Sequence, residues 1–157
     1  MTSMVIVSGG QTGVDRAALD AARQVGLECA GWCPHGRWAE DGPLAPDYPL
    51  LETPDTDPAQ RTEWNVRDSD ATLILLEDEL LGGTRLTLDC TVRWRKPCAL
   101  VMLQLSEAAD IILAWIAQWQ PVRLNIAGPR ESECPGIYAR SHRLLTHVLT
   151  SVKVLRM

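Results

Sequence analysis

Val5-Ile6-Val7-Ser8-Gly9-Gly10-Gln11-Thr12-Gly13-Val14-Asp15-Arg16-Ala17-Ala18-Leu19-Asp20-Ala21-Ala22-Arg23-Gln24-Val25-Gly26 is the stretch whose pattern decides the fold. It opens on a short apolar run that stops at Ser8-Gly9-Gly10, as a strand covered on both faces does. The period then changes. Val14, Ala17, Ala18, Ala21, Ala22 and Val25 recur at helical spacing along one face. That face is mostly alanine, which lets a helix lie close on a sheet. Gly26 supplies a C-terminal stop. The unit is strand, glycine turn, helix.

The same alternation continues outward. Leu27 to Trp32 reads as a second strand. Residues 33–58 carry Pro at 34, 43, 46, 49, 54 and 58 and form a long ordered loop, of a length that is often functional. Asp57 as cap and Pro58 at the first position start a short helix over 59–67. Ala71 to Leu76 is a third strand, followed by acidic residues, Gly82-Gly83-Thr84 and a helix over 84–95. Pro97 to Gln104 is a fourth strand. Ser106 is expected to cap the next helix, whose apolar face is Ala108, Ile111, Ile112, Trp115, Ile116 and Trp119. Val122 to Ala127 is a fifth strand, broken by Gly128-Pro129. A last helix runs from about Gly136 to Thr150, with Ile137, Leu144, Leu145 and Val148 inward. Strict β/α alternation predicts an α/β, three-layer domain over residues 1–157. Its sheet is mainly parallel, with about five strands and helices on both faces. Ligands of such sheets bind beyond the carboxyl ends of the strands.

Composition narrows the function. The chain has 157 residues, 46% apolar and 22% charged, which are globular values. Its fold should expose about 7,800 Å². Fifteen Lys and Arg against twenty Asp and Glu give a net charge of −5. A generic nucleic-acid binder needs a basic field, so no nucleic-acid partner is expected. No run approaches the ~20 apolar residues of a membrane span, and residues 1–8 are too short for a secretory signal. The five cysteines, an odd number, are read as reduced thiols in the cytoplasm. Cys29, Cys33 and His35 lack a second pair at zinc-site spacing, so no metal is assigned. There is no Phe but six Trp. Trp32, Trp38, Trp64 and Trp94 stand in polar surroundings, either as half-buried filler or as stacking platforms for a flat ligand.

The candidate site residues lie at the strand ends. Ser8, Gly9, Gly10, Gln11, Thr12 and Asp15 combine a tight glycine turn with a helix start, whose free N–H groups and dipole favour an anion, most often phosphate. The glycine spacing is not that of a dinucleotide fingerprint, and no Lys follows as in a P-loop. Gly82, Gly83, Thr84 and Thr87 repeat the device. Arg130, in Asn125-Ile126-Ala127-Gly128-Pro129-Arg130-Glu131-Ser132, supplies a bidentate donor for an oxoanion. Arg37 beside Trp38 could grip and stack a ligand. Asn65 and Asp68 either contact the ligand or close a turn. No Ser or Cys sits in a nucleophile-elbow pattern, and His142 and His147 are expected to face outward. No catalytic residue is therefore assigned, although Asp15, Glu40, Asp41 and Asp68 are acids within reach of base chemistry.

The segments 8–20, Gly31-Trp32-Cys33-Pro34-His35-Gly36-Arg37, Ala39-Glu40-Asp41-Gly42-Pro43-Leu44, 61–70, 82–87 and 125–132 together resemble the molybdenum cofactor carrier family. They span nearly the whole chain in order. That family is similar to the circularly permuted branch of a SLOG, or Lonely Guy-like, Rossmann superfamily. The resemblance implies a Rossmann-like fold and a phosphate-bearing small molecule as ligand, with the phosphate end on Gly9, Gly10, Gln11, Thr12, Gly82, Gly83 and Thr84. It implies storage of molybdenum cofactor and its delivery to apo-molybdoenzymes by a homo-oligomer. Two alternatives keep a nucleotide phosphate as ligand: an enzyme of the Lonely Guy phosphoribohydrolase type, or a nucleotide sensor without turnover. One departure matters for the first of these. Lonely Guy enzymes carry a catalytic Glu after the second glycine motif. Here Arg85 follows Thr84, and Asp89 is the nearest acid.

Overall fold

A computed structural model describes residues 3–156. Its central sheet is built from β1 (Val5–Val7), β2 (Glu28–Ala30), β7 (Ala71–Leu76), β8 (Cys98–Met102) and β9 (Arg123–Ala127). The loop after β2 contributes the short pieces β3 (Trp32–Cys33), β4 (Trp38–Ala39), β5 (Gly42–Pro43) and β6 (Leu51–Glu52). Five helices alternate with these strands: α1 (Val14–Val25), α2 (Pro58–Arg67), α3 (Gly82–Arg93), α4 (Ala108–Trp119) and α5 (Ile137–Leu155).

The five central strands run in the order β2-β1-β9-β7-β8, and every pairing among them is parallel. β7 reads Ala-Thr-Leu-Ile-Leu-Leu and is buried along its whole length, as a strand covered on both faces must be. Side chains alternate between the faces. Ala71, Leu73 and Leu75 of β7 join Leu124 and Ile126 of β9 and Ile6 of β1 in one core with α1, α4 and α5. Thr72 and Asn125 point the other way, to the side of α2 and α3, and bond to each other. The result is a three-layer α/β arrangement of Rossmann type. Its accessible surface, 7548 Å², is close to the expected value.

The alanine face of α1 behaves as its pattern predicts. Ala17, Ala18, Ala21 and Ala22 are fully buried, and α1 packs closely along α5. Leu19, on another side of α1, gathers Cys33, Leu44 and Leu50 into a second small core. That core explains why residues 33–57 are ordered with so little regular structure.

Several element boundaries differ from the sequence expectation. The expected strand over 27–32 breaks after Ala30. Gly31 has φ of +143°, and a Cβ there would lie 2.1 Å from the Ser8 carbonyl oxygen. The chain therefore swings off the central sheet, and β3 pairs with β6 instead. α3 begins at Gly82, because the amides of Thr84 and Arg85 both bond to the Leu81 carbonyl. Ser106 does not cap α4. Its hydroxyl donates to the Glu107 carboxylate, and Glu107 stands at the cap without a side-chain bond to the helix. The buried stripe of α4 is the narrow set Ala108, Ile112 and Ile116, whereas Ile111 and Trp119 are exposed. α5 runs on to Leu155 because Val152 still reaches the core. Asp57 does cap α2, accepting from the Ala59 amide at 2.9 Å.

Gly31 and Gly36 separate two effects. Both have positive φ, but a Cβ at Gly36 would meet nothing within 4 Å. Gly36→Ala should cost about 1–2 kcal/mol of backbone strain. Gly31→Ala should cost at least ~2 kcal/mol more, from the collision with Ser8. Urea unfolding of the two variants checks this, and equal costs would mean that the β2–β3 break relaxes freely.

Candidate functional site

The helices set the position of the site. α1 follows β1 and α5 follows β9 on one face of the sheet, while α3 follows β7 on the other. The chain therefore diverges at the carboxyl ends of neighbouring strands, and a crevice opens there. The crevice is a cleft of about 180 Å³. Its floor includes Gly9, Asn125, Ala127 and Gly128. Gly83, Thr84 and Thr87 of α3 form one wall, and Arg61 and Asn65 of α2 another. Gln11, Asp15, Arg130 and Trp38 complete it. The volume is below the roughly 300–1,000 Å³ of pockets that enclose a whole drug-sized ligand. It suits the charged end of a ligand whose remainder lies at the mouth.

The glycine loop is tied down by its own side chains. The Ser8 hydroxyl donates to the Asp15 carbonyl at 2.8 Å and accepts from the Gly10 amide. The Gln11 side-chain oxygen accepts from the Thr12 and Glu40 amides. The Arg16 guanidinium holds the Gly10 carbonyl and pairs with Asp41 at 3.0 Å. Gly13 has φ of +78°, and a Cβ on it would lie 2.3 Å from the Pro129 carbonyl oxygen. The loops after β1 and β9 therefore touch backbone to backbone.

Arg61 is the residue that sequence inspection did not single out. It is 8% exposed. Its Nη1 donates to the Gly9 carbonyl at 2.8 Å, its one hydrogen bond among the described residues. The guanidinium lines the cleft, so its other donors are available there. A Cβ on Gly9 would collide with that guanidinium at 2.8 Å, so glycine is what admits Arg61. The spacing of Arg61 and Asn65, i and i+4, was the available signal, because it places both on one face of α2.

Asp15 shares this buried setting. Burial pushes its carboxyl up to about 6, against the downward pull of Arg61, the Gln11 amide and Arg16. Burial also pushes Arg61 down, against the upward pull of Asp15. The pair gives the cleft a guanidinium that stays charged and a carboxyl that changes charge near neutrality.

The remaining expected residues are distributed as follows. Gly9, Gln11, Asp15, Asn65, Gly83, Thr84, Thr87 and Arg130 meet in the cleft. Asn65 also clamps β3, accepting from the Trp32 amide at 2.8 Å and donating to its carbonyl at 3.0 Å. Ser8 and Gly10 shape the glycine loop beneath the cleft, and Gly82 precedes the cleft wall in the first turn of α3. Thr12 faces a neighbouring groove and donates to Glu40. Arg37 is not brought into the cleft. Its guanidinium donates to the carbonyls of Leu44, Ala45, Tyr48 and Leu50, because four inward carbonyls of an irregular loop need donors. Asp68 is not brought there either. It ends α2 just before the start of β7, at the amino ends of the strands and away from the cleft. There it accepts from the Trp32 indole at 2.9 Å and pairs with Arg67. Asp89 pairs with Arg85 on the exposed side of α3, outside the cleft.

Glu40 joins three segments. Its carboxylate accepts from Thr12 and from the Ser132 hydroxyl and amide. Desolvation pushes its pKa up, but these hydrogen bonds and Arg130 hold it below the ordinary range.

The Asp15 carboxyl makes a pH prediction. Folding raises its pKa, so between about 4 and 6 the native state binds more protons than the unfolded chain. Its contribution to stability is full below the unfolded value and is lost as pH rises through about 6. Relative to Asp15→Asn, the wild type should lose roughly 2–3 kcal/mol between pH 4 and pH 7 in urea unfolding. A pH-independent difference would show that Asp15 does not titrate there.

Comparison with known proteins agrees with this fold. None of the curated proteins compared with the chain matches it. It is similar to the crystal structure of a protein from Syntrophus aciditrophicus SB named "Putative molybdenum carrier protein", with 42% identity and a TM-score of 0.89. That similarity covers 94% of this chain and 95% of the other. The family model described as the circularly permutated YpsA SLOG family matches residues 6–149. With nearly the whole sheet, both glycine loops and the Arg61 helix inside that match, the chain belongs to the circularly permutated YpsA SLOG family.

Proposed function

We propose that the protein binds molybdenum cofactor as cargo, through its phosphate, and carries it to apo-molybdoenzymes. The observation that carries this reading is the Arg61 guanidinium. It is buried, charged, satisfied at one donor, and open to a cleft walled by the first turn of α3. That turn has no side-chain cap, and with the Thr84 and Arg85 amides bonded to Leu81 it leaves those of Gly82 and Gly83 without helix partners. Amides, a helix dipole and a guanidinium together form an oxoanion site. The name of the similar Syntrophus protein supports molybdenum carriage as the physiological role. The donor set fits the phosphate. The cofactor's metal chemistry has no bearing on how this chain holds that end. Arg61 orients the phosphate, Thr84 offers a hydroxyl beside it, and the small cleft leaves the pterin at the mouth.

A second reading has one observation in its favour. Asp15, with a pKa of about 6, is a carboxyl poised for general-base work beside the anion site. It would serve an enzyme acting on a nucleotide derivative. The Lonely Guy-type glutamate has no counterpart at its expected place on α3, and of the candidate bases Asp15, Glu40 and Asp68 it is Asp15 that lines the cleft.

An anaerobic thermal-shift series with molybdenum cofactor, AMP, ATP and ADP-ribose distinguishes the readings. A ligand at a hundredfold its Kd should raise the Tm by about 5–10 °C. A shift with the cofactor alone supports carriage. A shift with nucleotides alone, with release of free base or ribose phosphate, supports the enzyme. Arg61→Lys should weaken the productive ligand about tenfold or more, because an ammonium cannot replace the guanidinium fork. Unchanged affinity would remove Arg61 from the site.

A further inference from the structure

The tryptophans in polar surroundings divide once their places are known. Trp32 and Trp64 are half-buried and pack edge to face with centroids 4.8 Å apart. Trp64 also lies under the Arg67 guanidinium, so both are spent on structure. Trp94 stands at the end of α3, away from the cleft. Trp38 alone of this group lines the cleft, and it is 49% exposed. It forms no aromatic pair among the described residues. Beside it at the mouth are Pro58, Ala59 and Thr62, which present small apolar surface.

An exposed indole on a floppy loop would be decoration. This one sits on a fixed support. Trp38 is paired with Pro43 in the β4–β5 hairpin. The residue before it, Arg37, is anchored by its bonds to four loop carbonyls. Two residues after it, Glu40 is tied by its amide to Gln11 and by its carboxylate to Thr12 and Ser132. The hairpin is thus bound to the glycine loop on one side and to the loop after β9 on the other. A large apolar ring held half in water, over a polar cleft lined by a guanidinium with open donors, is preorganised to receive a flat partner.

We propose that Trp38 is the stacking platform for a planar heteroaromatic ring, and that this ring belongs to the same ligand whose oxoanion reaches Arg61. The inference rests on the anion-site reading of the cleft and adds the second recognition element. It makes the ligand class a flat heterocycle joined to a phosphate by a short linker. It also makes Arg37 and Glu40 positioning residues, acting on the ligand through Trp38. Selectivity for ring over linker then lies in one side chain.

The test compares ring-bearing and ringless phosphates. Binding of AMP, a stable pterin phosphate, ribose 5-phosphate and inorganic phosphate is measured by calorimetry for wild type, Trp38→Leu and Trp38→Phe. At least one ring-bearing probe should bind wild type about tenfold more tightly than its ringless counterpart, the scale of one ring stacked on an aromatic side chain. Trp38→Leu should erase that advantage and leave the ringless affinity unchanged, which also shows that the variant is folded. Trp38→Phe should keep most of it. Equal binding of ringed and ringless probes, or an equal loss of both in Trp38→Leu, overturns the stacking role while leaving the anion site standing. Failure of every probe to bind wild type brings down the anion site and the stacking role together.

Discussion

Much of this architecture depends on one buried hydrogen bond, from the Arg61 guanidinium to the Gly9 carbonyl. A charged group that is nine-tenths buried is costly unless it is paired or bonded. Here it has one carbonyl, the nearby Asp15 and an open cleft. The bond ties α2 across the carboxyl end of β1. The donors left on the cleft side are what the proposed anion site rests on.

Elsewhere the fold recruits side chains to do what strand pairing does in regular structure. Asn65 meets both backbone groups of Trp32. Arg37 collects four carbonyls of the proline-rich loop, and Arg16 holds Gly10. Tyr48 and Tyr138 both donate to the Asp20 carboxylate on α1, which fastens the long loop and the start of α5 to the same helix. Backbone polar groups that leave the solvent need partners, and a loop with many prolines has few amides to offer its neighbours. Long polar side chains fill that role. Several residues that look like ligand contacts in the sequence are therefore engaged in holding the loop.

The fold was legible from periodicity. Apolar runs at Val5–Val7 and Ala71–Leu76 and the alanine stripe of α1 report burial directly, because burial on one or two faces is what selects those patterns. Boundaries were less legible. Nothing local distinguishes Ala30 from Trp32 as a strand residue. The break at Gly31 arises from contact with Ser8, a residue brought near by the pairing of β1 and β2. Likewise Ser106 has the composition of a cap, but the adjacent Glu107 carboxylate takes its hydroxyl first.

By itself the sequence determined the layers, the parallel sheet and the convergence of glycine-rich strand ends. Each of these depends on near-neighbour chemistry: side-chain period and glycine at turns. Only the tertiary structure decided which residues face the cleft. Beyond its i, i+4 spacing with Asn65, Arg61 gives little signal in sequence, because what sets it apart is burial against Gly9, fifty-two positions away. Arg37 and Asp68 carry the right chemistry for a ligand but meet loop carbonyls and the Trp32 indole first. Trp38 is told apart from Trp32, Trp64 and Trp94 only by where its hairpin is pinned. Side-chain type sets what a residue can bind, and the path of the distant chain sets what it meets.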